Sequence, residues 1–273
     1  MKRKKLWIAL ACAAFFAALI LSVALTGRTG GPEEPIKEMM RDAVLHEDNR
    51  VGLPGGMTVN PGLVSAFTVT GILLAAAALL RVLVVPRFRE KEPGRAQLAL
   101  ELLVGTFDDL ARSNSPHRNR FLGAYLFGAG VYIFASTIFE LTGLQVVTTG
   151  GRSVSLPAPL SDINGAIAMG CVSYLVILGG GVAANGARGL GRGLKEFSLP
   201  ISMSFRLFGA MLSGLLVTEL VYAYLMLSFV LPVIVAVLFT LLHALIQTYV
   251  LTMLTAVFYG EVTEPVEKEK KGA

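Results

Sequence analysis

The sequence predicts an all-α, polytopic membrane protein: five core membrane helices, preceded by an N-terminal apolar helix or signal segment and closed by a long, tilted helical hairpin. Three observations predict it. Six apolar runs, at 6–26, 63–85, 121–143, 162–184, 197–229 and 233–259, are each long enough to cross about 30 Å of hydrocarbon. The composition is 54% hydrophobic and 16% charged, with a mean hydropathy of +0.65, which excludes a water-soluble globular domain. The cationic residues, finally, gather in alternate loops.

Those loops orient the runs. Lys2, Arg3, Lys4 and Lys5 precede the first run. Arg87, Arg89, Lys91, Arg95, Arg112, Arg118 and Arg120 lie between the second and third, Arg188, Arg192 and Lys195 between the fourth and fifth, and Lys268, Lys270 and Lys271 in the tail. The remaining loops are poor in cations: 28–60 is net acidic, 144–161 holds only Arg152, and 230–232 is uncharged. The positive-inside rule therefore places the basic loops in the cytoplasm, with both termini there if the first helix is retained. The formal charge of +5 serves orientation, and no nucleic-acid partner is expected.

Residues 1–27 form a membrane anchor or a signal segment. KRKK before an apolar run fits both, but the 21-residue run is long for a signal and no A-x-A site follows it cleanly. Gly and Pro punctuation (Gly30, Gly31, Pro32, Pro54, Gly55, Gly56) makes 28–60 an external linker. Residues 61–262 are the membrane domain, and 263–273 are a cytoplasmic tail. Within the second loop, 95–112 spaces Leu98, Leu102, Leu103, Phe107 and Leu110 as the apolar stripe of a helix, lying on the membrane surface or serving as a solvated linker.

Cys12 and Cys171 sit in apolar runs, so no disulfide framework is expected. There is no P-loop, GxSxG or metal-ligand cluster, hence no expected metal or cofactor. No soluble catalytic domain fits between the loops. On its own the chain reads as a non-enzyme.

The fifth run is 33 residues, about 50 Å as a helix, so it must tilt or bend to fit the membrane. Only Pro232 and its neighbours separate it from the sixth, which makes the pair a tight antiparallel hairpin. Arg206 lies inside this run. A guanidinium does not deprotonate, and holding one near mid-bilayer costs about 3 kcal/mol or more. The nearest carboxylate on its helix, Glu219, is about 20 Å further along the axis. Glu140 and Asp162 lie at the external ends of the third and fourth runs, whereas Arg206 enters from the cytoplasm. The expected partner is a carboxylate on another protein or a mobile anion. The alternative is an arginine that snorkels or binds backbone carbonyls.

Gly209, Ala210, Ser213 and Gly214 follow the arginine, and Ala210-x-x-x-Gly214 is a small-xxx-small pattern that admits close helix approach. With the hairpin folded near 229, Gln247 faces residue 211, within about 8 Å of Arg206 along the axis. Glu219 then faces residue 239 and His243 faces residue 215, about one turn apart in depth. A carboxyl and an imidazole at similar depth suit a proton relay in a hydrated half-channel; taken alone, His243 is also explained as a hydrogen-bonded structural residue.

SLPISMSFRLFGAMLSG (198–214) followed by LIQTYVLTMLTAVFYGE (245–261) strongly resembles the last two membrane helices of the a subunit of F-type ATP synthase, from the bacterial Fo sector. FELTGL (139–144) and PLSDIN (159–164) resemble that family's external loop and the start of its fourth core helix. The similarity covers most of 63–262. It implies a multi-pass subunit of the bacterial plasma (inner) membrane that carries ions through two offset half-channels. By this resemblance Arg206 faces a rotating ring of c subunits, each with a mid-membrane carboxylate, and Gln247 packs near it. Asp162 and Asn164 then match polar residues of the external half-channel. The implied partners are the c ring, the b-subunit peripheral stalk and membrane lipid. The chain departs from the pattern: Ala210 replaces the usual Asn, Leu215 fills a position usually Glu or His, and the segment before SLPISMS is shorter than usual. Glu219, one turn on, is the expected substitute, and His243 is likewise shifted. The alternative function, a secondary transporter with Arg206 as an anion site, would show inverted repeats or broken helices. The sequence shows neither.

Overall fold

A computed structural model describes residues 50–52, 58–89, 93–149, 151, 153–223 and 231–265, with the side chains of 215, 218–223 and 231–236 excepted. The expectations for 1–27, for most of 28–60, for the hairpin turn near 229 and for the tail beyond 265 lie outside the described residues, as does the side chain of Glu219.

The first helix, α1 (Pro61–Leu79), starts where its sequence says it should. Asn60 caps it, accepting from the Gly62 N–H at 2.9 Å, and Pro61 occupies the first turn, where a missing N–H costs nothing. Further on, Pro86 removes a backbone donor, and the helix loosens into a π turn (Leu80–Val84) and a 3-10 turn (Val85–Arg87). Pro61–Arg87 is long and apolar enough to span a membrane and is almost wholly uncovered by the rest of the chain. Lipid covers such a face at no cost.

Next come α2 (Arg95–Asn114) and α3 (Arg120–Phe139). Residues 95–112 were expected to form a surface or linker helix. Instead the C-terminal half of α2 folds back along α3. Phe107 meets Phe127 edge-on at 5.9 Å and fills the space left by Gly130, whose Cβ would lie 2.6 Å from the Phe107 ring. Ala111 joins the core. Only the N-terminal half, with Leu98, Leu102 and Leu103 exposed, keeps a free apolar face.

The loop after α3 contains a 3-10 turn (Glu140–Thr142) ended by Gly143 at φ 62°. Two small antiparallel ribbons depart from the all-α expectation: β1 (Val51–Gly52) with β2 (Thr58–Val59), and β3 (Gln145–Val147) with β4 (Ser153–Ser155). Paired valines Val146 and Val154 suit the second, and Gly151 at φ 75° turns it. They decorate loops on a chain that is otherwise mostly helical.

The remaining helices are α4 (Ile163–Asn185), α5 (Ala187–Lys195), α6 (Ser198–Ala223) and α7 (Leu231–Thr263). Arg120–Thr142, Ile163–Asn185 and Val237–Thr263 are also long and apolar enough to span. The basic loop after α4 forms the short helix α5, which tucks under α4: Gly189 sits directly on Gly181, and the Tyr174 hydroxyl donates to the Gly193 carbonyl at 3.0 Å.

Helix α7 lies between α3 and α4, and α6 packs along α4 and α7. Their shared core contains Leu122, Leu126 and Ile133 of α3, Ile177 of α4, Met203, Leu207 and Met211 of α6, and Leu251 and Tyr259 of α7. Between helices in lipid, burial of leucine gives little, since the tails are as apolar as the core; close fit and polar ties decide. Gly180 accepts the Tyr259 ring, and Gly260 packs directly on the Asn114 carbonyl. Tyr125 and Ser173 hydroxyls share a 2.7 Å bond across α3 and α4, and the Asn185 amide donates to the Val262 and Glu264 carbonyls, fastening α4 to the end of α7.

Candidate functional site

Helix α6 presents different faces at 100° steps. Met203, Leu207 and Met211 form its buried stripe. Phe205, Arg206, Gly209 and Ser213 are exposed. Around Gly209 and Gly214 a Cβ would meet nothing within 4 Å, so this side of the helix is open. Ser213 returns its hydroxyl to the Ala210 carbonyl at 2.8 Å, which hides its polarity within the helix. On α7, Leu242, Leu245, Ile246 and Tyr249 are likewise turned outward. Arg206 is therefore a cation on an otherwise apolar surface. The carboxylates among the described residues lie elsewhere: none pairs with it, and the ion pair that is formed, Arg112 with Asp108 at 2.7 Å, belongs to α2.

Ala210 and Gly214 lie at the edge of the open side, where they line a narrow cleft with Met211. The other walls are Thr137 and Glu140 at the end of α3, and Phe239, Thr240 and His243 of α7. His243 thus lines the same cleft as Met211 and Gly214. Its Nδ1 lies 2.8 Å from the Phe239 carbonyl, and its ring stacks on Phe239 at 5.6 Å. A carbonyl only accepts, so Nδ1 carries the proton and Nε2 of the neutral ring is left as the acceptor. The sequence suggests Glu140 only as a counter-charge for Arg206 and gives no sign of its place in the cleft that His243 also lines. The available signal was a carboxylate at the end of an apolar run.

Gln247, one turn beyond His243, is buried on the stripe of α7 that also carries Ala244 and Leu251. No hydrogen bond joins it to Arg206 among the described residues. The backbone of Glu219 is helical, one turn past Leu215.

Asp162 has a definite structural job. It caps α4, its Oδ1 accepting the Asn164 N–H at 2.9 Å and the Asn164 Nδ2 at 3.1 Å, while its Oδ2 accepts Asn60 Nδ2 at 2.8 Å. Because Asn60 caps α1, the two helix starts are clasped together. Gly62 permits the approach; a Cβ there would lie 2.9 Å from that of Asp162. Asn164 is exposed beside them.

Among the described residues no three His, Cys, Asp or Glu side chains cluster to hold a metal. What the geometry offers is a fixed cation on an open apolar face, and next to it a cleft holding a carboxyl and an imidazole. A sequence model of the family described as ATP synthase A chain matches residues 67–260, which takes in α6, the cleft and nearly all of α7. Two relatives named ATP synthase subunit a, from Cereibacter sphaeroides strains ATCC 17025 / ATH 2.4.3 and ATCC 17029 / ATH 2.4.9, are each 25% identical over 198 residues, covering 68% of this chain and 76% of theirs. With the matched region spanning most of its length, the chain belongs to the ATP synthase A chain family.

Proposed function

We propose that the chain is the ion-conducting stator subunit of F-type ATP synthase, with Arg206 facing the carboxylates of a rotating c ring. The observation that supports this reading best is the state of Arg206: exposed on an apolar face, without a carboxylate partner among the described residues, and bordered by the open surface of Gly209. A cation kept there at a cost of about 3 kcal/mol or more implies a partner that arrives from outside.

The chemistry follows from charge in a low dielectric. A ring carboxylate enters lipid only as the neutral acid, because the charged form is too costly there. Opposite Arg206 the same group is stabilised as the anion. Each ring site must therefore release its proton as it approaches the arginine and take up another as it leaves. If the two exchanges open to opposite sides of the membrane, transport and rotation are coupled. Gly209, Ala210, Ser213 and Gly214 let a ring helix approach closely. His243 and Gln247 belong to the external path, with Glu219 one turn past Leu215. Asp162 and Asn164 frame its mouth. The peripheral stalk holds the subunit against the torque, and both termini face the cytoplasm if the first helix is retained.

The test is ATP-driven proton pumping by the assembled complex in inverted vesicles. Arg206→Ala is expected to abolish pumping. Arg206→Lys should nearly do so, because lysine lacks the delocalised fork and deprotonates more readily when desolvated. Cysteines placed singly from 206 to 214 should cross-link to a c-subunit helix. Normal pumping by assembled Arg206→Ala complexes would overturn the reading.

A further inference from the structure

We propose that Glu140 of the turn after α3 and His243 of α7 are the proton-transfer pair of the external half-channel, and that the ion this path carries is H⁺. The inference rests on the stator reading above and names the groups that serve it. Three helix segments converge on one cleft, and among the described residues its titratable side chains are Glu140 and His243. From α3 come Thr137 and Glu140; from α7, Phe239, Thr240 and His243; and α6 contributes Ala210, Met211 and Gly214, none of which titrates. Ala210 and Gly214 are the small residues of its α6 wall.

Position supports the assignment. Ala210 and Gly214 lie about 6 and 12 Å beyond Arg206 along α6, on the side toward which that helix runs outward. The cleft is therefore displaced from the arginine toward the external surface, where an access path has to be. Glu140 stands at the external end of α3, nearer the water, and His243 is carried on the helix that packs against α6.

The donor and acceptor roles are fixed by the hydrogen bond inside α7. With the Nδ1 proton held by the Phe239 carbonyl, Nε2 has the free lone pair. A protonated Glu140 carboxyl breaks its O–H bond as Nε2 gains the proton, leaving carboxylate and imidazolium. The imidazolium then gives the Nε2 proton to a ring carboxylate, and Glu140 regains one from external water. One proton moves inward and both groups return to their starting state. An imidazole passes a proton in this way and has no means of passing Na⁺, which is why the pair commits the path to H⁺.

The experiment uses the complete complex in proteoliposomes, with passive proton flux through the membrane sector measured at nominally zero Na⁺ and across a range of pH. Glu140→Gln keeps shape and hydrogen bonding but cannot release a proton; it should lower flux at least tenfold while assembly persists. Glu140→Asp should retain part of the flux, with an altered pH profile, which a purely structural carboxyl would not produce. His243→Phe should lower flux as Glu140→Gln does. Should Glu140→Gln fail to assemble, Glu140→Cys in a background with Cys12 and Cys171 replaced by Ala decides: attaching a carboxyethyl thiol adduct should restore flux. Assembled Glu140→Gln complexes that conduct like the native protein at every pH, or a confirmed carboxyethyl adduct that restores nothing, would overturn the pair. Arg206→Ala separates this outcome from the wider reading. If that variant stops pumping while Glu140→Gln behaves as wild type, only the pair is wrong; if both pump normally, the stator reading has failed as well.

Discussion

The Asp162 clasp allows a structural role and a conducting role to be separated at one residue. Asp162→Ala removes three hydrogen bonds to a carboxylate: from the Asn164 N–H, the Asn164 side chain and the Asn60 side chain. Loss of the cap alone costs about 1 kcal/mol. The bond that ties α1 to α4 adds about 1.5–3 kcal/mol when a charged acceptor is lost, and relaxation and water recover part of this. A net cost of about 2–3 kcal/mol should fall on the local opening of the two helix starts, and corresponds to amide exchange about 30- to 150-fold faster. Hydrogen–deuterium exchange of the assembled complex, read at 61–66 and 163–168, measures it. Asp162→Asn should be milder, because the amide oxygen still caps α4 and only the Asn60 contact is lost, as one donor then meets another. Its proton flux should stay near that of the native complex. Unchanged exchange in Asp162→Ala would refute the clasp. Flux lost in Asp162→Asn with exchange intact would show that its ionisation matters and its cap does not.

Gly209→Ala should fold and assemble normally, since its Cβ meets open space, whereas Gly209→Leu should assemble but lose at least half of the coupled pumping by blocking the ring; vesicle pumping against complex yield checks both. Gly260→Ala should destabilise the packing of α2 against α7 by about 1–3 kcal/mol, because the new methyl overlaps the Asn114 backbone carbonyl, which no rotamer change can move; protease resistance of the 114–120 loop reports it. Asn185→Ala should loosen the α4 end from that of α7, losing two hydrogen bonds worth about 0.5–1.5 kcal/mol each, and should appear as faster exchange near 262–264 without a change in proton flux.

The apolar runs were legible because lipid imposes one rule on all of them: every backbone group must be satisfied within the helix, over a length fixed by the bilayer. Asn60 with Pro61, and Asp162 before Ile163, are cap signals that set helix starts at 61 and 163, which apolar run lengths alone do not resolve. The arginine stands out in the sequence for the same energetic reason, since an ionised group is costly inside an apolar run, and among the described residues no carboxylate pairs with it. The position of α2 was not. Its stripe, Leu98 to Leu110, fits a lipid surface and a helix neighbour equally well, and only the gap at Gly130, on another helix, selects a packed place for Phe107. Glu140 was read only against Arg206, because a hairpin register relates residues within 197–259 and carries no information about what α3 brings to the same cleft. The ribbons escaped notice because runs of three residues have too little periodicity to show.

Helix α6 also explains why its residues should give separable defects. Met203, Leu207 and Met211 recur at four-residue spacing and hold the helix to its neighbours, so substitutions there act on folding. Arg206, Gly209 and Ser213 share the open side, so substitutions there are expected to act on a partner that approaches from outside. Ala210 and Gly214 lie between these two faces and line the cleft with Glu140 and His243. A larger residue at 210 or 214 therefore has two routes to damage: it can hold the ring away, or it can close the path that feeds the ring. Passive proton flux distinguishes them when compared with Gly209→Leu, which touches only the open side. If Gly214→Leu blocks flux more severely than Gly209→Leu at equal assembly, the cleft is part of the path. Equal effects would mean that α6 contributes only a surface for the ring.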